Sequence, residues 1–189
     1  MTPAVLTITG EGEMNASVSK YEGTWRNYNY EENDNYYWVP KIKTISLPEG
    51  LLNIDYLAFK DCRHLQSITI PATVVEIEES AFEDCRSLQS VTFAGDNVQF
   101  IGDWAFYNCH DLQSITIPEG VQEIGQAAFF NCVYLNELTI PSTMIRMADN
   151  SFAQCAKLKK MIVKAATPPV IDAKTFEGVD RSIPVIVPQ

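Results

Sequence analysis

The sequence predicts an α/β solenoid, a stack of coils that each lay a short strand on one side and a short helical turn on the other. Three observations carry that expectation. A unit typified by Ile77 to Phe93, IEESAFEDCRSLQSVTF, recurs as IDYLAFKDCRHLQSITIP from Ile54, IGDWAFYNCHDLQSITIP from Ile101, IGQAAFFNCVYLNELTIP from Ile124 and MADNSFAQCAKLKKMIVK from Met147. The lead residue returns after 23, 24, 23 and 23 positions, the period of units that bury their apolar faces against their neighbours. In every copy, LxxI followed by an apolar residue two places on gives the period-two burial of a strand.

The elements follow from these slots in chain order. Ala4 to Met14, AVLTITGEGEM, alternates Leu6 and Ile8 with Thr7 and Thr9 and breaks at Gly10 and Gly12. It reads as a strand and tight turn that roof the first coil, since the open end of a solenoid exposes core. Ser19 to Pro40 departs from the repeat and carries Trp25, Tyr28, Tyr30, Tyr36, Tyr37 and Trp38 beside four carboxylates, Glu22, Glu31, Glu32 and Asp34. These rings either face a ligand, because Tyr and Trp give contact area at low entropy cost, or cover the first coil. Residues 1–41 are therefore read as a cap and Tyr/Trp-rich insert, and 42–189 as a solenoid of about six coils, one continuous domain with the cap.

From Ile42 the strands succeed one another, with Ile68 and Ile70, Val91 and Phe93, Ile115 and Ile117, Leu138 and Ile140, and Met161 and Val163 expected inward. The residues suggest seven strands from Ile42 on. Pro71, Pro118 and Pro141 end strands because Pro has no N–H to donate. The coil with the extra residue lacks that Pro and turns through AGDNVQF, Ala94 to Phe100. A helical turn with Ala-Phe-x-x-Cys then aligns Phe59, Phe82, Phe106, Phe129, Phe152 and Phe176 as a ladder through the core. The residue before Phe is small in the first five coils, where neighbours approach closely. Late in the chain, Thr167-Pro168-Pro169 forces an extended bend, and Val185 and Val187 make a last strand. With nothing after Gln189 to cover it, the chain is expected to be part of a longer protein.

Cys62, Cys85, Cys109, Cys132 and Cys155 occupy one slot. Equivalent Cβ atoms in adjacent coils stay about 4.8 Å apart, beyond disulfide reach, so they are read as buried free thiols. His64 and His110 each lie near a Cys yet in a surface slot, too few for a four-ligand metal site and without an accessible thiolate. No phosphate-cradling glycine loop occurs, and Glu78, Glu79, Asp84 and Asp103 are spread over turns rather than converging. The chain is read as a non-enzyme without cofactor or metal. A net charge of −10 and a sequence pI of about 4.6 argue against nucleic acid, whose binding needs clustered Lys and Arg. No apolar run reaches the roughly 20 residues of a membrane span, and Met1 to Gly10 has no signal-peptide pattern.

The unit IxxxAFxxCxxLxxIxIP, with copies at Ile54, Ile77, Ile101 and Ile124, resembles the BspA-type leucine-rich repeat family of bacterial surface proteins, over about Ile42 to Pro188. LTITGEGEM and TPP…F…VP look like the opening and closing segments of such arrays; the aromatic insert has no counterpart. The resemblance implies a right-handed leucine-rich-repeat superhelix with short strands on one face and short helical turns on the other. It also implies export, display on the cell surface or secretion, and adhesion to host or bacterial surface proteins or glycans, with no catalytic residues.

Two surfaces are candidates for binding. Outward strand positions form one column of Thr44, Ser67, Ser90, Ser114, Glu137 and Lys160 and another of Ser46, Thr69, Thr92, Thr116, Thr139 and Ile162. Extended faces of this kind serve solenoids as binding surfaces; alternatively, Thr simply suits exposed strand positions. Trp104, Tyr107, Phe130 and Tyr134 would form an aromatic patch on the opposite side, or pack coil against coil. The expected function is a surface-displayed binding module, the alternative a structural spacer or accessory domain of a larger exported protein.

Overall fold

A computed structural model describes residues 4–7 and 42–187. The expected turn at Gly10 and Gly12 lies outside them, as do Trp25, Tyr28, Tyr30, Tyr36, Tyr37, Trp38 and the rest of the expected cap apart from its first strand. The larger of two parallel sheets runs β1 (Ala4–Thr7), β2 (Ile42–Ser46), β4 (Ser67–Ile70), β6 (Ser90–Phe93), β8 (Ser114–Thr116), β10 (Glu137–Ile140), β12 (Lys160–Val163) and β14 (Val185–Ile186). Its strands from Ile42 on are the seven that the sequence suggests. The second sheet is built from two-residue strands: β3 (Asn53–Ile54), β5 (Glu76–Ile77), β7 (Phe100–Ile101), β9 (Glu123–Ile124), β11 (Arg146–Met147) and β13 (Val170–Ile171). β1 pairs in parallel with β2 at the edge of the larger sheet, where the sequence places the N-terminal strand.

Between the sheets lies one continuous core. Ile68, Ile70, Ile115, Ile117, Leu138 and Ile140 are buried as their alternation requires, with Phe93 and Val163 partly buried at its margin. The Phe ladder forms with ring centroids 5.0–5.2 Å apart from Phe59 to Phe152. It ends on half-buried Phe176 at 5.6 Å. Ala81, Ala105 and Ala128 sit buried beside it.

The short helical turns do not form: among the described residues there is no helix. The backbone hydrogen bonds give the reason. In the coil starting at Ile101, the N–H groups of Ala105, Tyr107 and Cys109 donate to carbonyls three residues back, whereas those of Trp104, Phe106 and Asn108 donate to Gln126, Ala128 and Phe130 of the next coil. An α-helix needs consecutive bonds to the fourth residue back, and here every second donor is spent between coils. Left-handed residues recur third and seventh after each lead position, as at Trp104 (φ 53°) and Asn108 (φ 57°), and interrupt any helical run. The seventh position holds Asp61, Asp84, Asn108, Asn131, Gln154 and finally Gly178, mostly residue types that tolerate this conformation.

Ser151 replaces the alanine of its slot. Its hydroxyl is fully buried without a hydrogen-bond partner among the described residues, whereas Thr175 one coil on donates to the carbonyls of Met147 and Ala148. Ser151→Ala is expected to raise stability by about 1 kcal/mol, since an unsatisfied buried hydroxyl carries its full desolvation cost. Equilibrium denaturation measures it, and a loss of stability would show that the hydroxyl has a partner.

Candidate functional site

The larger sheet's outer face is the candidate. Cα registers align Thr44 with Ser67, Ser67 with Ser90, Ser90 with Ser114, Ser114 with Glu137 and Glu137 with Lys160. Thr69 pairs with Thr92, and Thr116 with Thr139, which continues to Ile162. Ser67, Ser90, Ser114, Thr69, Thr92 and Thr116 are exposed; Glu137 and Thr139 are half-buried, and Glu137 pairs with Lys160 at 2.5 Å.

A third column escaped the sequence reading. Gln66, Gln89, Gln113 and Asn136 are exposed immediately before the strands, tied coil to coil by bonds from Gln89 N to Gln66 O, Gln113 N to Gln89 O and Asn136 N to Gln113 O. The thrice-repeated Q-S-x-T of residues 66–69, 89–92 and 113–116 was its signal. The result is a grid of neutral amides and hydroxyls, each both donor and acceptor, on a chain of net charge −10.

The expected aromatic patch is mainly coil-to-coil packing. The rings of Tyr107 and Phe130 stack at 5.1 Å with planes 7° apart. Trp104 is half-buried, and only Tyr134 is exposed.

No nucleophile emerges from the thiol column. All five cysteines are buried, and none is joined to another by a disulfide. Cys85, Cys109, Cys132 and Cys155 donate S–H to the carbonyls of Phe59, Phe82, Phe106 and Phe129 at 3.2–3.4 Å. Each of these carbonyls also accepts the N–H of the Cys in its own coil, so the slot is a hydrogen-bonding position as well as a packing one. Burial pushes the Cys155 thiol up to about 12 and raises those of Cys109 and Cys132 as well, which withholds the reactive thiolate. We expect thiol reagents to label the native protein only as fast as it unfolds; labelling in seconds without denaturant would contradict this burial.

The remaining polar candidates serve the coils. His64 is exposed; His110 is half-buried, and its Nε2 accepts from Asn131 Nδ2 at 3.0 Å. Asn131 also donates to Asn108, and Asn108 to Asp84, which holds Arg86. Asp103 accepts the Gln126 N–H at 2.7 Å. Glu78 accepts from Asn53 Nδ2, and burial followed by the hydrogen bond to Asp55 raises its carboxyl above the ordinary value. Among the described residues no group of three or more His, Cys, Asp or Glu is placed to hold a metal, and no helix is long and apolar enough to cross a membrane.

Glu119 bridges coils, accepting from Lys164 Nζ at 2.8 Å and from Ser142 N and Oγ. Lys164, then Ser142, hold its carboxyl down at about 2, against an ordinary 4.5. A depressed folded value means the contribution is present above pH 4.5 and lost as pH falls toward 2. The melting-temperature gap between the parent and Lys164→Ala should therefore close across that window; a constant gap would remove Glu119 from the account.

Coils paired through parallel sheets, with periodic Leu, Phe and Cys inside, define a leucine-rich-repeat solenoid. The chain belongs to the BspA type leucine rich repeat region family, whose model matches six copies over residues 32–180. No curated protein matches the chain significantly. Among solved structures it is similar to a leucine rich repeat protein of T. pallidum, at 32% identity and TM-score 0.62, covering 65% of this chain and 56% of that one. It is also similar to a leucine rich cell surface protein of Faecalibacterium prausnitzii, at 32% identity and TM-score 0.61, covering 64% of this chain and 31% of that one. The chain thus spans under two thirds of either neighbour. Repeats of this family suggest a protein-interaction module, and the family and fold are typically non-catalytic.

Proposed function

We propose that the chain is a non-enzymatic binding module, displayed on the cell surface or secreted, that takes a host or bacterial surface protein or glycan on its larger sheet. The neutral amide and hydroxyl grid carries this reading. It is exposed across three consecutive coils, repeats in register, and holds no charge on an otherwise acidic chain. The similar F. prausnitzii protein is a cell surface protein, which supports the location. Trp25, Tyr28, Tyr30, Tyr36, Tyr37 and Trp38 are proposed as a second contact.

The test is a screen of the purified chain against matrix proteins and a glycan array, repeated with Ser90→Arg and Thr92→Arg. Both side chains are exposed, so the fold should survive while binding is lost. Binding indifferent to both variants would favour the second reading, a spacer or accessory domain of a larger exported protein.

A further inference from the structure

One end of the grid opens into a shallow, open cup of about 220 Å³ lined, among the described residues, by Lys43, His64, Gln66 and Ser87. Gln66 is also the first amide of the grid, so the two surfaces are continuous. Among the described residues no carboxylate lines the cup. Of the carboxylates in the adjoining turns, Asp61 pairs with Arg63 and Asp84 with Arg86, each at 2.9 Å, while Asp111, one coil beyond Ser87, makes no ion pair among the described residues. Lys43 makes no ion pair among the described residues. In a chain of net charge −10, this is a local reversal: an ammonium with no ion-pair partner among the described residues, an imidazole, an amide and a hydroxyl around one opening.

We propose that the cup is an anion subsite for an acidic sugar unit, carboxylated or sulfated, of a polysaccharide lying along the grid; this rests on the reading of the grid as a binding face. Protein partners bury aromatic and aliphatic anchors at the centre of an interface. The nine Gln, Ser and Thr positions offer none. Sugar hydroxyls both donate and accept, as do the amides and hydroxyls of the grid. The anionic substituent supplies what the neutral columns lack, a charge-assisted hydrogen bond to Lys43.

Calorimetric titration of the full chain with polygalacturonate, dextran sulfate, neutral dextran and polyglutamate tests this, at roughly 50 and roughly 500 mM salt. One or both acidic polysaccharides should bind more tightly than dextran and weaken with salt; which of them does so distinguishes carboxylate from sulfate. Lys43→Gln with His64→Gln should weaken that binding by about tenfold, and leave the denaturation midpoint unchanged. Equal affinity for dextran and the acidic polymers, indifference to the double variant, or preference for polyglutamate would each overturn the subsite. If neutral glycans or proteins still bind and respond to Thr92→Arg, the subsite alone falls. If nothing binds, or no binding responds to Thr92→Arg, the reading of the grid falls with it.

Discussion

Phe106→Ala is expected to lower the stability of the whole stack by about 3–5 kcal/mol, the cost of emptying a fully buried aromatic site. Phe106 is completely inaccessible and stacks on both sides, against Phe82 at 5.0 Å and Phe129 at 5.1 Å, with planes 6° apart in each case. Offset stacking of this kind adds roughly 0.5–1.5 kcal/mol per pair beyond area burial, and the truncation removes two pairs. Phe176→Ala is the control. That ring is half-buried and has a single ladder neighbour, so its loss should cost clearly less. Denaturant unfolding of the two variants decides the matter: equal costs would mean that the ladder contributes bulk alone.

Gly120→Ala is expected to cost on the order of 1–3 kcal/mol by overpacking. A Cβ there would lie 1.8 Å from the Asp96 carbonyl oxygen and 2.7 Å from that of Val98, and both are backbone atoms. The cause is the 24-residue coil: its extra residue falls in Ala94 to Phe100, and the Asp96 carbonyl occupies the space where the next coil would otherwise place a side chain. Asp96 Oδ1 also accepts the Glu119 N–H at 3.1 Å, fastening the two turns together. Replacing AGDNV of residues 94–98 by PATV, as at residues 71–74, should rescue the alanine variant. Failure of that rescue would locate the strain elsewhere.

The features that repetition enforces were legible in the sequence. Phe, Cys, Leu and the strand residues each return in one slot, so a single copy taught the burial of all, and the columns of Ser and Thr followed from alternation. The turns were misread because Ala-Phe-x-x-Cys has helical spacing. The contrary signal was Asp61, Asp84, Asn108, Asn131 and Gly178 in one column, residue types suited to a left-handed backbone. The second sheet stayed hidden because two-residue strands such as Asn53–Ile54 bury at most one side chain each and show no alternation. The S–H bonds to the Phe carbonyls leave no trace in residue spacing, since their partners belong to the preceding coil. Trp25 to Trp38 has no second copy from which a register could be read, and the ligand has no signature in a grid of Gln, Ser and Thr.

The fit between Asp96 and Gly120 also bears on inheritance. Coils of regular length can be duplicated or deleted by recombination, because each offers its neighbours the same backbone contacts. The coil with the extra residue and the one that follows it are matched at this contact and must travel as a pair, as Gly125 is matched to the backbone of Asp103 in the coil before it. A descendant that kept the first and lost the second would set a side-chain-bearing turn against a carbonyl that only glycine admits.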